Sequence, residues 1–74
     1  MEEKVFLDKM MDLLDLDAPP LLTDSLDDFE DWDSLAYVSF LAFAKKSTGK
    51  RVPPKKVADA KTIGDLFELL KEEN

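Results

Sequence analysis

Thr23-Asp-Ser-Leu-Asp-Asp-Phe-Glu-Asp-Trp-Asp33, running directly into Ser34-Leu-Ala-Tyr-Val-Ser-Phe-Leu-Ala-Phe-Ala44, holds the transition that decides the fold. The first half is rich in Asp, Ser and Thr, whose side chains bond nearby backbone and favour turns, and the second half is almost wholly apolar. The pattern predicts a helix beginning at Ser34 with Asp33 as its N-cap, the carboxylate accepting from the amide of Leu35 or Ala36. Ser34 is then left in the first turn with an uncommitted hydroxyl, and such a group at an exposed helix start is an attachment point. Capping alone selects the same residue types ahead of an apolar helix, so Asp33-Ser34-Leu35 by itself does not separate a structural serine from a functional one. A second Asp-Ser-Leu, at 24–26, lies within the acidic loop and heads no long apolar segment.

Working outward, this helix is expected to run to about Thr48 and to end at Gly49, the usual residue for a left-handed C-terminal cap. Tyr37, Phe40, Leu41, Ala44 and Thr48 follow helical spacing and should face the interior. Ala36, Ser39 and Ala42 should then form a small, uncharged strip trailing away from Ser34. Upstream, Phe6, Met10 and Leu13 share a face of a first helix expected over Glu2 to Leu16, stopped by Asp17-Ala18-Pro19-Pro20. The long loop that follows should be pinned by Leu21, Leu22, Leu26 and Phe29, with one helical turn near Leu26 to Phe29 capped by Asp24 or Ser25. Pro53-Pro54 should start a short third helix including Val57 and Ala58. Thr62 should cap a last one, with Asp65 in a capping-box arrangement and Ile63, Leu66, Phe67 and Leu70 buried. The expected fold is all-α: a four-helix bundle with a long loop between helices 1 and 2 and a short third helix.

A chain of 74 residues makes one domain, residues 1–74, with a small core, since a domain this size buries only about 60% of its unfolded surface. It has no cysteine and no histidine, hence no thiolate, no sulfur metal ligand, no metal site expected and no imidazole base, so it is not expected to be an enzyme. No apolar run approaches the roughly 20 residues of a membrane span, and the acidic start is unlike a secretion signal, so a cytoplasmic protein is expected. The net charge of −7 is unevenly spread. Residues 1–34 carry 12 acids against 2 bases, and residues 35–74 carry 5 acids against 8 bases. The basic run Lys45, Lys46, Lys50, Arg51, Lys55 and Lys56 lacks interleaved aromatics and adjoins a strongly acidic half. It therefore reads as solvated helix ends rather than as a nucleic-acid surface.

The order of helix, long acidic loop, Asp-Ser-Leu helix, Pro-started short helix and amphipathic last helix resembles the acyl carrier protein family. The resemblance spans essentially the whole chain and rests on Asp33, Ser34 and Leu35, on Leu26 and Phe29 upstream, on Val52-Pro53, and on Ile63, Leu66 and Leu70. It implies a bundle of acyl-carrier type, a monomer, in which Ser34 receives 4′-phosphopantetheine from coenzyme A through a separate phosphopantetheinyl transferase. Asp33 and Leu35 would flank the modified serine. The arm's thiol, rather than the protein, would hold an acyl thioester and present it to acyl-loading and acyl-processing enzymes such as an acyl ligase or a ketosynthase. Helices of this family also shelter the attached chain, and Phe40, Phe43 and Phe67 would limit that space here.

The chain departs from the family in its second helix. Typical fatty-acid carriers place acids there for basic patches on their enzymes, whereas this chain has Ala36 and Ser39, then Lys45 and Lys46, with Ala42 where a methionine is common. The departure favours a specialised fatty-acid or polyketide-type pathway, with docking through Asp31, Trp32, Ala36, Ser39 and Ala42 and the loop acids Asp27, Asp28 and Glu30. Trp32 reads equally as an anchor holding the loop on the bundle. Aminoacyl and peptidyl carriers share the serine motif and form the alternative reading, followed by an unmodified helical interaction module.

Overall fold

Asp33 starts the longest helix, as its side chain predicts: Oδ1 accepts the Ala36 N–H at 3.1 Å while the Asp33 backbone is extended. A computed structural model, describing residues 2–49 and 51–71, carries this helix over Ser34–Thr48 (here α2). It ends at Gly49, whose φ of 75° lies in the left-handed region and whose N–H reaches the Lys45 carbonyl at 2.9 Å. Ahead of it are α1 (Glu3–Leu13) and a 3₁₀ turn (Leu26–Asp28), and behind it α3 (Pro54–Asp59) and α4 (Ile63–Lys71). The described residues are all-α, and their only β-type pairing is an isolated bridge between Ser25 and Thr62. Lys50 of the basic run lies outside the described residues.

The first helix is shorter than the expected Glu2–Leu16, and the prolines do not stop it. It ends because Asp15 turns left-handed at φ 55°. The Leu16 N–H then bonds back to the Met11 carbonyl at 2.9 Å and the Asp15 N–H to the Asp12 carbonyl at 3.3 Å, the pairing of a Schellman cap with aspartate in the place usually taken by glycine. This reversal returns Leu16 to the core, where it packs half-buried.

Ser25 caps the 3₁₀ turn by accepting the Asp27 N–H on Oγ at 3.3 Å, and Asp24 accepts the Leu21 N–H on Oδ2 at 2.9 Å. Three backbone bonds stitch this loop to the head of α4: Leu26 N–H to the Lys61 carbonyl, Ile63 N–H to Asp24, and Gly64 N–H to Leu22 at 2.8 Å. The last contact favours glycine, since a Cβ on residue 64 would stand 3.0 Å from the Leu22 carbonyl oxygen. Gly64→Ala gains about 1 kcal/mol of helix propensity but forces apart a carbonyl held by that same amide, an overpacking cost of about 1–3 kcal/mol. The expected net is a lower melting temperature, by several degrees, in a thermal denaturation followed by circular dichroism; an unchanged or raised value would show that the loop gives way freely.

The core is drawn from every helix and the loop. Phe6, Met10, Leu14, Leu26, Phe40, Ala44, Val52, Val57, Ile63, Leu66, Phe67 and Leu70 are buried together, and no polar or charged described residue is buried. Phe6 meets Phe67 with ring centroids 5.0 Å apart, and the Tyr37 hydroxyl donates to the Pro54 carbonyl at 2.6 Å, tying α2 to the start of α3. Of the interior stripe expected on α2, Phe40 and Ala44 are buried, whereas Tyr37, Leu41 and Thr48 are half-buried.

At the head of α4 the capping box forms: the Asp65 N–H donates to Thr62 Oγ1 at 3.1 Å, and Asp65 Oδ2 accepts the N–H groups of Lys61 at 2.9 Å and Thr62 at 3.2 Å. The Lys61 amide leads in lowering the Asp65 carboxyl below its ordinary value; desolvation opposes it, and the Thr62 bonds and the Lys61 charge add to the lowering. A carboxylate lowered in the folded state stabilises fully above its unfolded pKa, and that stabilisation is lost as pH falls through the folded value. Native chain and Asp65→Asn should therefore differ most in stability at pH 7, with the difference beginning to shrink only as the pH falls below about 4. Urea titrations at pH 7 and through the acid range check this, and a gap that persists in acid would assign it to packing.

Candidate functional site

The two Asp-Ser-Leu segments meet opposite fates. At 24–26 the serine hydroxyl is engaged as a cap and Leu26 is buried in the core at 2% exposure. At 33–35 the capping is done by Asp33, Ser34 is exposed with no hydrogen bond to Oγ from any described residue, and Leu35 projects outward at 77% exposure. The amides of Ser34 and Leu35 likewise find no partner among the described residues, because Ala36 is taken by the Asp33 side chain and Tyr37 by the Asp33 carbonyl at 2.9 Å. Among the described residues, an exposed hydroxyl therefore stands unengaged beside two unpaired donors at the positive end of a 15-residue helix, a setting that suits a phosphate ester on that oxygen.

Asp33 holds this arrangement, and its removal is expected to act twice. Asp33→Ala should cost about 1 kcal/mol of stability, the usual worth of such a cap, and should also slow any modification that requires a fixed helix start. Asp33→Asn keeps an acceptor and loses the charge. If it folds as well as the native chain but is modified slowly, the carboxylate is read directly; equal modification rates for native, Asn and Ala forms would remove Asp33 from the site.

The outward face of α2 is displaced from the expected strip. Ser39 and Ala42 are exposed, but Ala36 is buried at 6% exposure, because Ala36, Phe40 and Ala44 recur every four residues and share the inward face. Ala36 is thus not available for docking, and its place is taken by Val38 at 60% exposure, which the sequence reading passed over. Leu35, Val38 and Ala42 run down the exposed face at helical spacing, ending at exposed Lys45 and Lys46. A cleft beside them is lined by Val38, Leu41, Ala42, Val52 and Pro54 together with Lys45 and Arg51. On the other flank Lys9 lies 5.6 Å from the centre of the Phe43 ring, joining α1 to α2.

Trp32 packs edge-on against Phe40, centroids 6.2 Å apart, and is half-buried, so it anchors the loop just ahead of Ser34. Asp27, Asp28, Glu30, Asp31 and Asp33 are all exposed around it. The described residues hold no cluster of three or more potential metal ligands, and no helix among them is long and apolar enough to cross a membrane. Set against protein-family models, curated proteins and solved structures, the chain matches none.

Proposed function

We propose that this chain is a carrier protein of acyl-carrier type, taking 4′-phosphopantetheine from coenzyme A on Ser34 and presenting acyl thioesters to partner enzymes. The observation that carries the reading is the division of labour at the head of α2: Asp33 caps, so Ser34 Oγ remains exposed and unengaged. The attached arm supplies the thiol that holds the acyl group. Of the chain's own residues, Ser34 would be the point of attachment, the amides of Ser34 and Leu35, unpaired among the described residues, would be available to a phosphodiester there, and Trp32 on Phe40 would hold the preceding loop. Tethering delivers a thioester at high effective concentration once the carrier is docked.

Exposed Leu35, Val38 and Ala42 leading to Lys45 and Lys46 favour a specialised pathway over a general fatty-acid cycle, whose enzymes would seek acids on this face. Incubation with coenzyme A and a broad-specificity phosphopantetheinyl transferase, followed by intact mass measurement, should show the addition of one phosphopantetheine. An unchanged mass would leave a helical interaction module.

A further inference from the structure

We propose that the outward face of α2 is an oriented docking surface for a partner protein that brings an apolar side chain flanked by carboxylates. The apolar group would seat against Leu35 and Val38 and in the cleft of Leu41 and Val52, and the carboxylates would meet Lys45, Lys46 and Arg51. The proposal rests on the carrier reading for its purpose, since it places the partner beside Ser34. Single exposed apolar residues are ordinary, but Leu35 and Val38, exposed at 77% and 60%, lie one helical turn apart, and Val38 lines a cleft together with Leu41, Val52 and Pro54.

Charge selects the partner. No described carboxylate pairs with Lys45, Lys46 or Arg51, although Lys55 pairs with Asp59 at 3.4 Å and Lys71 with Glu68 at 3.3 Å. The α2 dipole accounts for cations at 45 and 46, but Arg51 lies beyond the helix and lines the same cleft as Lys45. Lys45 and Lys46 stand about 16–18 Å along the helix from Ser34, before which Glu30, Asp31 and Asp33 are exposed. The face is thus negative at the serine and positive at its far end, so an acidic partner group can dock in one direction only. The same acids disfavour a flat anionic membrane, which would meet repulsion at the serine end.

Two synthetic amphipathic helical peptides sharing one leucine stripe, one flanked by glutamates and the other by lysines, test the surface by titration into ¹⁵N-labelled protein. The glutamate peptide should shift the amides of Val38, Leu41, Lys45 and Val52 and bind at least tenfold more tightly than the lysine peptide. A combined Lys45→Glu, Lys46→Glu and Arg51→Glu variant should reverse that order. Equal binding of the two peptides, or shifts confined to other elements, would overturn the proposal. So would sedimentation of the native protein with phosphatidylglycerol vesicles that the variant escapes, which would assign the face to a membrane, or concentration-dependent self-association lost in the variant, which would assign it to a second copy. Transferase treatment of the same samples keeps the two readings apart: peptide discrimination without mass gain sinks the carrier and retains the surface, and mass gain without discrimination sinks the surface alone.

Discussion

Ser34→Ala, incubated with coenzyme A and a broad-specificity transferase, should gain no mass, whereas Ser25→Ala should be modified as fully as the native chain. The contrast is informative because both serines stand in Asp-Ser-Leu. Ser25 Oγ accepts the Asp27 amide and its neighbour Leu26 is sealed in the core, so Ser25 sits half-buried in a loop stitched to α4 with its hydroxyl already engaged. Ser34 needs no rearrangement. The two substitutions also separate stability from modification in opposite senses. Ser34→Ala places a good helix former at an exposed first-turn position and should leave the helical circular dichroism nearly unchanged. Ser25→Ala removes a cap worth about 1 kcal/mol and should lower the melting temperature while leaving the mass gain intact. Modification of Ser34→Ala together with an inert Ser25→Ala would reassign the site to the loop.

Where a boundary is set by a side chain acting on its own neighbours, it could be read from the residue string. Asp33 ahead of an apolar run, Gly49 behind it and the Thr62–Asp65 pair act within four residues, and all three form as expected. The end of α1 failed that test because the signal was weak in kind: Asp15 adopts a conformation that glycine prefers, among several other acids that do not, and the conspicuous prolines lie four and five residues further on. Ala36 failed for another reason. Counted from Ser34 it begins a strip of small residues; counted from Phe40 it belongs to the buried stripe, and alanine's size fits either side. The cleft that Val38 shares with Arg51 was not legible, because it depends on the 51–54 segment lying against α2, where the Tyr37 hydroxyl bonds the Pro54 carbonyl.

The burial of Ala36 decides which substitutions can test docking. On the carrier reading, a fatty-acid ketosynthase with a basic docking patch should use the native chain poorly, since it meets Ser39, Lys45 and Lys46 where it needs acids; the like-charge encounter mainly costs on-rate and orientation. Installing acids should restore use, but Ala36→Asp would bury an unpaired carboxylate and unfold the helix start instead of decorating it. The exposed positions are the right ones: Ser39→Glu, Lys45→Glu and Lys46→Glu together, with Ala36 left in place. Loaded with the same acyl group, this variant should be elongated about tenfold faster than the native carrier at low ionic strength, within the range that electrostatic steering provides. The advantage should shrink as salt shortens the reach of the charges to about 8 Å at physiological ionic strength and less above it. Reversing the same lysines should weaken the glutamate peptide that binds beside the cleft, so one variant moves two readouts in opposite directions. If the native carrier already matches a conventional acidic one at every salt concentration, the charge of α2 is not what the partner reads, and the case for a specialised pathway loses its support.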